Sequence, residues 1–213
     1  MQGKNNNFTI INPSSVYISD ETIIEEGVTI YPNNYLEGKC LIKKGATLLP
    51  NNFVINSTVG QSSKIFNSVI EESIVGDGVT IGPFSHLRPN SNIGENAKIG
   101  NFVEIKNSLV NSGTKINHLS YVGDAEIGKN VNVGCGVVFV NYNGKIKQKT
   151  IVEDKCFVGS SVNLIAPVKV GQSAFICAGT TVDKNVPANA FVIGRSRMNI
   201  KEERAIKYLK GDN

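Results

Sequence analysis

The sequence predicts an all-β fold, a parallel β-helix, and three observations carry that expectation. The first is a six-residue spacing of apolar side chains. It runs through Ile18, Ile24, Ile30, Leu36, Ile42, Leu48 and Val54, and resumes at Val75, Ile81, Leu87, Ile93, Ile99 and Ile105. With two five-residue steps it continues through Val110, Ile116, Val122, Ile127, Val133 and Phe139, then after an interruption through Val152, Val158, Leu164, Val170, Ile176 and Val182. An amphipathic helix needs a period of about 3.6. A period of six fits short strands joined by regular corners, the hexapeptide repeat of β-solenoids. The second observation is that a glycine often follows the apolar residue, as at Gly82, Gly94, Gly100, Gly128, Gly134, Gly159 and Gly171. The third is composition. There is no Trp, and the 21 glycines stand among many Val, Ile and Asn. Val and Ile suit pleated strands, while Asn and Gly suit tight corners.

Taken in order, residues 1–9 are polar and Asn-rich and read as a flexible N-terminal tail. Residues 10–186 form the β-helix, less regular between Val59 and Ile70. Three hexads make one triangular rung, so Ile18 to Val182 gives about nine rungs, roughly 43 Å tall at about 4.8 Å per rung. From Phe139 to Val152 there are 13 residues where six are due, so a loop insertion over 141–149 leaves the prism. Residues 187–213 read as a cap, with a short amphipathic helix over Met198–Lys210 closing the open end.

The formal charge of +4 is modest and suits an anionic small ligand better than nucleic acid. The four cysteines, Cys40, Cys135, Cys156 and Cys177, have no metal-ligand spacing. No signal-like stretch and no long apolar run is present, so the expectation is a cytoplasmic protein with reduced thiols and no membrane contact.

An 18-residue rung turns sequence into geometry. Arg88 and Lys106 lie 18 apart and stack on one face. Like charges on neighbouring strands repel, and an anion between them reverses the sign. Splaying into water is the alternative for such a pair. His118, Cys135, Ser160 and Ala178 each lie two places after an inward residue, and form one column once the five-residue step and the loop are counted. An exposed histidine followed by three small side chains makes a groove for an extended arm with its reactive end at the imidazole. The loop interrupts the repeat after His118 and suits a flap.

From Gly82 onward, several segments resemble the C-terminal acetyltransferase domain of the GlmU family. They are Leu87-Arg88-Pro89, Gly100 to Lys106, His118 to Gly128, Asn141 to Gly144 and Val158-Gly159-Ser160. The family is a glucosamine-1-phosphate N-acetyltransferase fused to an N-acetylglucosamine-1-phosphate uridyltransferase. Residues 10–81 resemble it only as generic coils. The resemblance implies a left-handed parallel β-helix, a homotrimer with sites between subunits, acetyl-CoA as co-substrate and no metal for acetyl transfer. It implies His118 as general base, with Glu104 orienting its ring, and Arg88, Lys106, Tyr121 and Asn132 at the sugar phosphate. It implies Cys135, Asn141, Tyr142, Lys147, Ser160, Ala178 and Arg195 at acetyl-CoA. Asn117 stands for the family's usual Gly, Ser120 for Thr and Cys135 for Ala. No Gly-rich nucleotide loop of the uridyltransferase half is found, so uridyltransferase activity is expected to be absent from this chain, with a separate uridyltransferase a candidate partner. A γ-type carbonic anhydrase needs three zinc-binding histidines and this sequence has two, His86 and His118. Another hexapeptide acyltransferase and a non-catalytic trimeric scaffold are the remaining alternatives.

Overall fold

The computed structural model describes residues 7–208, and they fold as a parallel β-solenoid. Each strand pairs in parallel with the strand one rung away: Tyr17↔Tyr35, Thr29↔Thr47, His86↔Glu104, Phe157↔Phe175. A nine-stranded sheet forms one face of the prism. The other two faces merge into a single sheet, because strands Lys98–Lys106 and Lys115–Gly123 turn the corner between them without breaking.

Every hexad position from Ile30 to Val182 in the spacing described above is buried. Burial of each Val, Leu or Ile side chain contributes about 1.5–3 kcal/mol. The inward position two residues earlier is small, and most hydroxyls there donate to a backbone carbonyl, Thr150 Oγ1 being a buried exception. Ser63 Oγ donates to Gly76 O at 2.8 Å and Thr114 Oγ1 to Gly128 O at 2.7 Å. Corners need a left-handed backbone, and Asn supplies it at Asn33, Asn51, Asn67, Asn90, Asn96, Asn107 and Asn130.

The structure departs from expectation in three places. The irregular stretch keeps its strands but shortens its rungs, with Phe53 pairing Val69 and Lys64 pairing Thr80, because five-residue steps replace hexads there. The solenoid is also longer than 10–186. Thr9–Ile10 pairs with Thr29–Ile30, so the tail's last residue is already in the sheet, and Phe191–Val192 extends the other end on Phe175–Ile176. Finally, the helix expected over Met198–Lys210 does not form. Only a 3₁₀ turn, Arg204–Lys207, is present, and Met198 and Tyr208 are exposed; residues 209–210 lie outside the described residues. A helix this short needs a packed apolar face, and this one rests on nothing. Among the described residues no helix is long and apolar enough to cross a membrane.

The insertion lies between two strands. Strand Val138–Val140 ends before it and Thr150–Val152 resumes after it. It closes as a small antiparallel hairpin, with Tyr142 bridged to Lys147, Gln148 N–H donating to Asn141 O, and Asn143 Oδ1 accepting from the amides of Lys145 and Ile146.

Candidate active site

The pairings Ile116↔Val133, Val133↔Val158 and Val158↔Ile176 stack His118, Cys135, Ser160 and Ala178 two residues further on, along one corner. All four are exposed. The groove floor depends on glycine. A Cβ on Gly134 would stand 2.6 Å from Ser160 N, and one on Gly159 2.5 Å from Ala178 N. Arg195 closes the far end, its Nη1 donating to Ala178 O at 3.0 Å.

His118 sits in strand Lys115–Gly123, directly above Asn101. Its Nδ1 lies 2.9 Å from Asn101 Oδ1. An amide oxygen accepts, so Nδ1 is the donor in this pair, and in the neutral ring Nε2 then holds the lone pair. Glu104, expected to orient this ring, does not touch it within the chain. Its carboxylate instead accepts from Arg88 Nη1 at 2.9 Å, because its strand position faces the next column along. The residue orienting the imidazole is Asn101. Arithmetic could have found it: the five-residue step from Ile105 to Val110 shortens this rung to 17, which puts residue 101 under 118.

Arg88 and Lys106 stack as expected at the opposite edge of the same face. The Glu104 hydrogen bond raises the pKa of Arg88, keeping it charged. Lys106 is pushed the other way, first by a contact with Lys147, then by that residue's charge, burial and Arg88, with Asp124 opposing. Lys147, which the resemblance implies at acetyl-CoA, is set by the flap against Lys106 within the chain. Three cations converge with an incomplete set of counterions, which is an electrostatic opening for an anion.

Tyr121 stacks above Glu104, and its hydroxyl lies 3.5 Å from Asn141 Nδ2. Asn132 lies on the preceding face, three residues before Cys135, while Asn141 is buried and Tyr142 exposed at the base of the flap. The residue above Lys106 is Gly123, five residues beyond His118. The corner at Leu119, with φ 42°, lies between them. Sequence reasoning gave no role to Asp124, which binds both Asn107 and Asn141, or to the Glu71–His86 pair at 2.7 Å beside Arg88.

A family model, the GMPPB C-terminal domain, matches residues 69–188, more than half of the chain. The chain belongs to this family. It is also 47% identical over 204 residues to the bifunctional protein GlmU of Shouchella clausii, covering 96% of this chain and 44% of that protein. The GlmU of Caldicellulosiruptor saccharolyticus is 50% identical over 193 residues, covering 91% of this chain and 42% of its own length. The chain thus spans less than half the length of these relatives and resembles their C-terminal half. Among solved structures, the UDP-N-acetylglucosamine acyltransferase of Francisella novicida aligns over 94% of this chain and 73% of its own, at 19% identity and a TM-score of 0.41.

Proposed function

We propose that this member of the GMPPB C-terminal domain family moves the acetyl group of acetyl-CoA to the amine of glucosamine 1-phosphate. The observation that carries the reading is His118, an exposed imidazole tied through Nδ1 to Asn101 at the head of a groove of small side chains. The identity to GlmU over nearly the whole chain supports the same substrate pair.

In this reading the pantetheine arm lies along Cys135, Ser160 and Ala178, with Arg195 at its far end, and brings the thioester to His118. The substrate amine forms a C–N bond at the carbonyl carbon and the C–S bond breaks. His118 Nε2 takes the proton the amine sheds and returns it to the departing thiolate. Positioned general-base catalysis of this kind contributes about 10²–10⁴-fold. Backbone N–H groups beside Cys135 are the candidate donors to the tetrahedral oxyanion. Arg88 and Lys106, joined by Lys147, hold the 1-phosphate, with Tyr121 and Asn132 on the sugar, so that phosphate binding orients the amine.

The reading requires more than one copy. In this reading each site lies between subunits, and a neighbouring copy completes it. Asn141 and Tyr142, at the cation edge, reach acetyl-CoA only in a neighbour's groove. A homotrimer of prisms gives three such seams. Phe84, Phe102 and Leu119, exposed at 54%, 54% and 60% on the corner beside His118, support burial of that corner against a neighbour. The free thiols fit a cytoplasmic setting. The described residues all serve the solenoid and its ends, so the reading assigns uridyl transfer of the product to another domain or protein.

The test is thiol release from acetyl-CoA with glucosamine 1-phosphate, glucosamine, glucosamine 6-phosphate and a blank. Turnover with the 1-phosphate alone is expected. Turnover with a different amine would replace the substrate, and no thiol release from a folded protein would overturn the reading.

A further inference from the structure

Asp124 stands at a corner of the prism, half-buried, in a left-handed backbone with φ 49°. Its bonds run in four directions. Oδ1 accepts from Asn107 Nδ2 at 2.5 Å, and Oδ2 accepts from Asn141 Nδ2 at 2.5 Å. Its amide donates to Lys106 O at 3.1 Å, and its carbonyl accepts from Thr150 N–H at 3.2 Å. Asn141 and Thr150 are the two ends of the flap, and Lys106 is the cation against which the flap sets Lys147. One residue therefore touches both ends of the flap and the backbone of the lysine it serves.

Gly123 makes the reach possible. A Cβ there would meet Tyr121 Oη at 2.5 Å and Asn141 Nδ2 at 2.6 Å, so only glycine lets the amide pass across to the carboxylate. Asn141 is itself buried, so its donor must find a partner, and an unmade bond at such a site is costly. Among the described residues, the other side-chain bonds from the flap to the prism are the long Asn141–Tyr121 contact and an exposed Lys149–Glu126 contact, each at 3.5 Å. A charged acceptor at 2.5 Å is the strongest of these.

We infer that Asp124 is a latch: its carboxylate holds Asn141 and so fixes the flap in the position where Lys147 joins Lys106. Asp124 is thus a positioning residue for the cation cluster. Its negative charge also offsets the crowding of Lys106. The consequence for catalysis rests on the phosphosugar reading above; the consequence for the flap does not.

The experiment follows the flap directly. It contains Lys145, Lys147 and Lys149, so trypsin nicking there reports how firmly it is held. Asp124→Asn sets one amide donor against another, and nicking is expected to quicken about tenfold, the loss of one good hydrogen bond. Gly123→Ala, which leaves Asp124 in place but blocks Asn141, is expected to do the same. The double exchange Asp124→Asn with Asn141→Asp reverses donor and acceptor across the same bond, and is expected to restore slow nicking. Unchanged nicking in Asp124→Asn, or failure of the exchange to restore it while thermal unfolding stays wild-type, would overturn the latch. If thiol release is measurable, Asp124→Asn is expected to raise KM for glucosamine 1-phosphate about tenfold with kcat lowered less than about threefold. Faster nicking with an unchanged KM would overturn the positioning role.

Discussion

The rungs up to Val54 and those from Gly82 to Val140 obey the same repeat and differ in what they display outward. One column on the second face makes the contrast plain. It begins Tyr17, Tyr35, Phe53, with rings stacked at 4.3 and 4.8 Å, passes through Val69, and then reads His86, Glu104, Tyr121. A stabilising aromatic ladder gives way to a polar, charged one. The corners change too. In the early rungs they are Asn33 and Asn51, bonded side chain to side chain at 3.1 Å. At the corner beside His118 they are Phe84, Phe102 and Leu119, all with positive φ. A left-handed backbone costs such residues roughly 1–2 kcal/mol each, a cost Asn or Gly largely avoids. The inward positions set the scaffold, and the outward columns are free to trade stability for binding.

That contrast can be broken most sharply at His118. In His118→Ala, kcat is expected to fall about 10²–10⁴-fold while acetyl-CoA binding, read by calorimetry, persists. An active variant would return this corner to mere scaffold. Next comes Leu36→Ala in the early rungs, expected to cost about 2–5 kcal/mol by chemical denaturation with kcat unchanged in the folded protein. A loss of kcat there would mean that the two regions are not separable. Lys106→Ala is expected to raise KM for the phosphosugar about tenfold, more at low salt than at high, as screening predicts. Because Lys147 and Arg88 oppose its charge, the same variant should not lower the melting temperature.

Leu119→Asn sharpens the corner comparison. Relief of the left-handed strain should stabilise the isolated chain by about 1 kcal/mol. Self-association, followed by analytical ultracentrifugation, should weaken. The smallest effect concerns Glu153, whose carboxyl is held below the usual range by Lys169, then by the Gln172 amide. A depressed carboxylate stabilises the fold above its unfolded pKa of about 4.3 and loses that contribution as pH falls through the folded value. Glu153→Gln should therefore lower stability slightly at pH 7, where that contribution is present, and flatten the acid side of the curve, so that the two proteins converge as pH falls below about 4.

Much of this was legible without coordinates, because a solenoid is nearly one-dimensional. Counting rungs put His118, Cys135, Ser160 and Ala178 on one corner, and Arg88 with Lys106 on one edge. The same counting failed where it assumed uniform rungs or isolated elements. A rung of 17 put Asn101 under His118; the role of Glu104 came from the resemblance, and within the chain Glu104 bonds Arg88. Met198–Lys210 has helical spacing, but spacing cannot supply a surface to pack on. The position of Lys147 could not be counted at all, because a loop's direction is not written in its period.

The sequence alone determined the inward residues and the stacking of columns. Each of these follows from a repeat in which one side chain per hexad must leave water. Tertiary structure decided which partners the polar side chains take. Asn101 meets His118, Glu104 meets Arg88, and Asp124 holds Asn141 across Gly123, because corner angles and rung lengths set those distances to within a hydrogen bond. It also set the base at a corner and the cations at the far end of the following face, since the left-handed backbone at Leu119 turns the strand between them.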